Sequence, residues 1–239
     1  MNVEREVLAN ILVMTKTGIV DYSLLCKSSK VPRSTAQQVV KNLEQQGLVS
    51  LRGKVLTVSP TQRVEIAIQA IKIGSDFENI CQKLQWKEFE NIARRTFEIF
   101  SYDVIGNLRF KTRTKRRGEI DLIAYKKPII ASVDCKHWQR NWTRSPIKKV
   151  VEQQIKRTQL FTEILQNFQS TMKLGNWKKA IVIPMVLSLL PGPFKFHRQT
   201  PVVPVMKLQS FLNELPAHID DLTYFTKTIV QVDRRITEY

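Results

Sequence analysis

Cysteine is scarce in this sequence. Its three residues, Cys26, Cys81 and Cys135, are odd in number and widely spaced. They make neither a disulfide framework nor a zinc ribbon. Histidine is equally rare, and His137, His197 and His218 lack metal-ligand spacing. No apolar run can span a bilayer, because the longest, Ile181–Leu190, is interrupted by Pro184 and Ser188. The N-terminus carries Glu4 and Glu6 where a secretory leader has a basic and then an apolar segment. A reduced, intracellular (cytoplasmic) location is the expectation. Acidic residues are also in deficit, 21 Asp and Glu against 38 Lys and Arg, leaving a net charge of +17. Such a surplus draws polyanions, either nucleic acid or an acidic membrane surface. A membrane-surface protein needs a basic amphipathic helix with large apolar residues, whereas the basic residues here cluster between strand-like segments. The expected partner is therefore nucleic acid and no membrane. What is present is 43% hydrophobic residues in a chain of 239, enough to bury a core in one large domain or two modest ones.

The first sixty positions have a clear rhythm. Val3, Val7, Leu8, Ile11 and Leu12 recur at helical spacing, predicting a helix to about Met14. Gly18 breaks it, and Asp21 then caps a short second helix through Leu24 and Leu25. Pro32 and Ser34-Thr35 open a third helix with Ala36, Val39, Val40 and Leu43 inward, ended by Gly47 in a left-handed C-terminal position. Leu48–Leu51 and Val55–Val58 read as strands around Arg52-Gly53-Lys54, a hairpin with a basic tip. This order, with Ser34-Thr35-Ala36, Leu43-Glu44 and Gly47-Leu48-Val49, resembles a winged helix-turn-helix domain. The resemblance implies that Arg33, Ser34, Gln37, Gln38 and Lys41 face a DNA groove, and that Arg52 and Lys54 touch phosphates. A winged helix can also serve protein contacts or dimerisation alone, and the residues leave that alternative open. Thr61 is expected to cap a connecting helix with Val64, Ile68 and Ile71, ended by Gly74, and Ser75-Asp76-Phe77-Glu78 has capping-box spacing. The domain boundary is placed here, dividing residues 1–75 from 76–239. Basic residues outnumber acidic ones on both sides of it.

Residues 86–138 carry the chemistry. Trp86 to Phe97 reads as a helix burying Phe89, Ile92, Ala93 and Phe97. Tyr102–Ile105 reads as the start of a strand, and Gly106 permits a bend. Arg109, Lys111, Arg113, Lys115 and Arg117 occupy alternate positions, so one continuous strand would present all five on one face as a rake for phosphates. Gly118 turns the chain into the strand Glu119–Ala124, and Ile129–Trp138 is the next strand. Asp134 and Lys136 project from one face of it, and Asp121 lies on its antiparallel neighbour. Paired carboxylates are hard-oxygen ligands suited to Mg²⁺, whose other positions water and substrate phosphate can fill. A nearby lysine can orient the attacking water and offset charge on the phosphorus.

Glu90 on a helix, then Arg116-Arg117-Gly118-Glu119-Ile120-Asp121, then Val133-Asp134-Cys135-Lys136-His137-Trp138 resembles the PD-(D/E)XK core of restriction-endonuclease-like enzymes. Mrr-like and archaeal Holliday-junction-resolvase-like nucleases are the most similar in context. The resemblance covers residues 86–215. It implies an α/β fold, with a mixed-sheet restriction-endonuclease-like core preceded by the winged helix. The activity implied is metal-dependent hydrolysis of DNA phosphodiester bonds, leaving a 5′-phosphate, in repair, recombination or restriction. Asp121, Asp134 and the backbone carbonyl of Cys135 would hold Mg²⁺, or Mn²⁺ in its place. Glu90 would hold a metal-bound water or second ion, with Glu88 as the alternative helix acid, and Lys136 would position the nucleophilic water. Many nucleases of this fold act as dimers, so a homodimer is expected. Related nucleases place a glutamine or a base on the helix after the core to touch phosphate, which implies such a role for Gln154 and Arg157.

Several neighbouring residues have plainer readings. The Cys135 side chain points into the core, and Glu119 supports Asp121 or pairs with the rake. His137 is expected on the substrate side or in solvent. Trp138 and Trp142, among Arg140 and Arg144, suit stacking on an unpaired base or packing under the next helix. On the helix begun at Pro146, Gln153, Gln154, Lys156 and Arg157 are expected on the outer face. The reading from a different class is a DNA-binding regulator or scaffold whose nuclease fold is inactive.

Overall fold

The N-terminal periodicity closes into helices packed beside a small sheet. A computed structural model describes residues 3–136 and 144–230. The chain forms two compact units, Met1–Ile92 and Ala93–Tyr239. In the first, the elements are α1 (Val3–Met14), β1 (Ile19–Asp21), α2 (Tyr22–Ser28), α3 (Arg33–Gln45), β2 (Ser50–Arg52), β3 (Val55–Thr57), α4 (Pro60–Lys72) and α5 (Phe77–Cys81). The helix α6 (Trp86–Ile99) begins in this unit and ends in the second. Val7, Leu8, Ile11 and Leu12 of α1 share a core with Ala36, Val39, Val40 and Leu43 of α3. The expected hairpin is present, and β1 joins it in a three-stranded antiparallel sheet of order β1-β3-β2. That strand is 3 residues long, too brief for any alternation to reveal.

The local stop and start signals mostly act as their chemistry dictates. Asp21 Oδ1 accepts the Leu24 amide at 2.9 Å, and Gly47 takes the left-handed conformation after α3 at φ +72°. Thr61 is not the cap of α4. Ser59 is, in a reciprocal capping box with Gln62, because Pro60 occupies the first helical position, where its missing N–H costs nothing. The division between units falls at 92/93 and not at 75/76, since Ile80 and Leu84 pack into the first core. A buried arginine holds that core together. Arg63 is 1% exposed, is ion-paired with Glu88, and donates to the Leu12 carbonyl at 2.8 Å and the Lys83 carbonyl at 2.9 Å.

The second unit is a mixed α/β layer. β4 (Asp103–Lys111), β5 (Arg117–Lys126) and β6 (Ile129–Lys136) form an antiparallel meander, and α7 (Arg144–Glu163) follows. β7 (Lys179–Ser188) lies parallel to β6. β8 (Phe196–His197), β9 (Thr200–Pro204), α8 (Leu208–Glu214) and β10 (Phe225–Thr228) complete it. The seven-stranded sheet runs β4-β5-β6-β7-β9-β8, with β10 pairing β7 beside this path. The fold class is the expected α/β with a mixed sheet. β10 pairs with the first half of β7, in a stretch whose sequence offers no alternation of apolar residues. β6 is buried along nearly its whole length, and only Lys136 at its end is partly open. Among the described residues, no helix is long and apolar enough to cross a membrane.

Candidate active site

Two strand ends and one helix bring the charged residues of the second unit together. The β5–β6 ladder stops at Leu122–Val133. The next amide, that of Cys135, donates instead to Asp121 Oδ2 at 2.7 Å. The carboxylate thereby replaces a strand carbonyl and is fixed beside the Cys135 peptide. Asp134, 2% exposed, is flanked by two cations. Arg157 Nη1 donates to Oδ1 at 2.7 Å. Lys136 Nζ lies 2.6 Å from Oδ2, yet out of line for a hydrogen bond, so this buried oxygen has charge compensation but no directed donor among the described residues. Lys136 also donates to the Cys135 carbonyl at 3.3 Å. The Cys135 side chain is fully buried, as expected.

Burial raises the pKa of Asp121 above the ordinary carboxylate value, and the Asp134 charge adds to the rise. The Cys135 N–H bond, Lys136 and Arg157 pull the other way. Two neighbouring carboxylates, one of them with the undirected buried oxygen, and a peptide carbonyl are a hard-oxygen donor set that fits a divalent cation. Among the described residues there is no cluster of three or more His, Cys, Asp or Glu side chains that could hold a metal ion.

The two helix acids separate by partner. Glu88 is 1% exposed and spent within the first unit on Arg63 and the Gln85 amide. Glu90 is more open, and its Oε1 accepts from the Trp86 indole. It belongs to the first unit, whereas Asp121, Asp134 and Lys136 belong to the second.

Three expectations for the second unit need correction. The rake is not one strand. β4 ends at Lys111 and β5 begins at Arg117, with a turn between them closed by Lys115 donating to the Thr112 carbonyl. Arg109, Lys111 and Arg117 lie on the hairpin's strands, while Arg113 and Lys115 sit in its turn, all exposed. Unbroken alternation of basic residues concealed that turn, where Lys115 adopts φ +62°. Glu119 pairs with Arg109 at 3.3 Å. Gly118 and Gly106 are not turns either. A Cβ on Gly118 would lie 2.3 Å from Phe110, and one on Gly106 would lie 2.5 Å from the Arg94 guanidinium. The left-handed residue of β4 is Asn107, at φ +52°, between the pairs Gly106–Leu122 and Leu108–Ile120. Third, Gln154 and Arg157 do not face outward. Gln154 is fully buried against Ser132, and Arg157 reaches Asp134. Ser132 and Thr158 complete this group and were not foreseen. Ser132 shares strand parity with Asp134, and Thr158 follows Gln154 by one helical turn, which was the available signal.

In the first unit Arg33, Ser34, Gln37, Gln38 and Lys41 are exposed on α3 opposite its apolar stripe, and Arg52 and Lys54 are exposed at the hairpin tip. Glu44 Oε1 accepts the Leu51 amide at 3.1 Å, tying that hairpin to α3. His137, Trp138, Arg140 and Trp142 lie outside the described residues.

Residues 84–190 match the nuclease-related domain, NERD. The matched span holds Glu90, Asp121, Asp134, Lys136, Gln154 and Arg157. The NERD match points to a nuclease-related function, carried on a mixed α/β sheet. An uncharacterized protein of Archaeoglobus fulgidus is 26% identical over 142 residues, covering 59% of this chain and 99% of the relative. Among solved structures, protein VC1899 from Vibrio cholerae is similar with a TM-score of 0.35 and 11% identity, over 91% of this chain and 51% of that one. Restriction endonuclease FokI is similar with a TM-score of 0.39 and 12% identity, over 92% of this chain and 44% of that one. The chain thus spans about half the length of these solved proteins.

Proposed function

We propose that the protein is a Mg²⁺-dependent DNA endonuclease that hydrolyses phosphodiester bonds, directed to DNA by an N-terminal winged helix. The observation that carries this reading is the convergence of Asp121, Asp134 and Lys136 on the Cys135 peptide, inside the span that matches NERD. Asp121, Asp134 and the Cys135 carbonyl would hold Mg²⁺, with Mn²⁺ as a substitute, and Glu90 is the proposed helix acid. When bound, the ion supplies stabilisation of charge on the phosphoryl oxygens. Lys136, partly exposed at the end of β6, orients the attacking water and offsets charge on the phosphorus. The exposed α3 face and the basic hairpin tips neutralise DNA phosphates. A homodimer would allow both strands to be cut.

Cleavage of labelled duplex, single-stranded, flap and four-way-junction DNA with Mg²⁺, Mn²⁺ or EDTA tests the reading. Metal-dependent cutting is expected, with Asp134→Ala and Lys136→Ala each inactive but still binding DNA. Cutting by either variant at the wild-type rate would overturn the site. Tight binding with no cutting of any substrate would favour a non-catalytic regulator or scaffold.

A further inference from the structure

Ser132, Gln154 and Thr158 are fully buried between β6 and α7. A helix laid on a sheet ordinarily buries apolar side chains there, and buried polar groups are costly unless fully bonded. Here the bonds run in series. Thr158 Oγ1 donates to Ser132 Oγ at 2.9 Å. Gln154 Nε2 donates to the Ser132 carbonyl at 2.7 Å and to Ser132 Oγ at 3.1 Å. Those bonds consume the amide hydrogens and aim Gln154 Oε1 at Arg157, whose Nη1 donates to it at 3.1 Å. The same Nη1 reaches Asp134 Oδ1 at 2.7 Å. The series therefore fixes a guanidinium on a carboxylate.

We infer that Arg157 is a positioning residue that competes with the divalent cation for Asp134. This rests on the reading of Asp134 as a metal ligand. Arg157 and Lys136 already offset the charges of Asp134 and its neighbour Asp121. A divalent ion entering beside both would meet like charge at close range. Arg157 makes the aligned bond to Oδ1, while Lys136 lies out of line at Oδ2, so an ion seated at Oδ2 gains the second oxygen only when the Arg157–Oδ1 bond opens. Its side chain is 27% exposed against 3% for Asp134, which gives the guanidinium somewhere to go. Gln154 sets how readily it leaves.

Calorimetric titration of the DNA-free protein with Mn²⁺ tests this, using wild type, Arg157→Met, Gln154→Met and Asp134→Asn. Arg157→Met is expected to bind Mn²⁺ about tenfold more tightly, equivalent to ~1.4 kcal/mol of removed competition. Gln154→Met keeps every charge but loses the acceptor that steadies Arg157, and is expected to tighten binding by a smaller factor. Arg157→Lys is expected between wild type and Arg157→Met, and replaces the latter if it fails to fold. Asp134→Asn should lose binding. Unchanged or weaker affinity in the Arg157 variants, with wild type binding, would overturn the inference alone. Tightening in Arg157→Met but not in Gln154→Met would also overturn it, since mere charge repulsion would then suffice. Absence of binding in wild type and Arg157→Met alike would overturn the metal-site reading beneath it.

Discussion

Asp121 binds its proton more tightly in the folded chain than in the unfolded one, because burial and the neighbouring Asp134 disfavour its charge. A folded pKa above the unfolded one means stability falls as pH rises from the unfolded value to the folded value, and the loss persists above both. In EDTA at pH 8, Asp121→Asn is therefore expected to melt above wild type, since the amide oxygen can still accept the Cys135 N–H, and in Mg²⁺ it is expected to lose cleavage. A lower melting temperature for that variant would contradict the account. The cysteines offer a second residue-scale test. Burial, with the Asp76 and Glu78 charges, pushes the Cys81 thiol up to about 12. Cys26 and Cys135 are buried as well. Native protein at pH 8 is expected to react with Ellman's reagent only after denaturation, and rapid labelling of the native chain would refute this.

At the scale of elements, the β4–β5 hairpin illustrates what pattern reading can and cannot reach. Gly118 leaves room for the Phe110 ring across the pair, so Gly118→Ala forces that ring aside. A destabilisation of about 1–3 kcal/mol is expected in urea unfolding, the usual range for overpacking. Neutral stability would mean the ring moves freely. The strands β4 to β7 were legible from their apolar runs, and strand parity put Asp134 and Lys136 on one face with Asp121 on the neighbouring strand. The turn at Thr112–Arg116 was not, because its basic residues continue the alternation of the strands it joins. β1 and β10 are held by their partners and not by their own composition. Nor could spacing separate Glu88 from Glu90. Only tertiary contact with Arg63, distant in sequence, assigns Glu88 to the core. Replacing Arg113 and Lys115 with alanine should weaken DNA binding and flatten its salt dependence by roughly two phosphate contacts. An unchanged slope would remove the hairpin turn from the interface.

For the whole molecule, basic residues outnumber acidic ones in both units, so under the proposed function both units would contribute to DNA affinity. With six to ten phosphate contacts, affinity is expected to fall by about 10³–10⁵ between 50 and 200 mM salt. Binding and chemistry should nevertheless separate. Arg33→Ala with Lys41→Ala is expected to raise the DNA concentration needed for half-maximal cleavage and leave the single-turnover rate at saturation unchanged. A fall in that saturated rate would show that α3 does more than recruit substrate. The pairing of β10 with β7 bears on how such a molecule is made. Asp121, Asp134, Lys136 and Arg157 emerge from the ribosome well before Phe225, yet Lys179–Val182 of β7 have no β10 to bond until that late strand appears. During synthesis the charged cluster precedes the strand that completes its sheet, and a product terminated before Phe225 would carry an open central edge ready to pair with another chain.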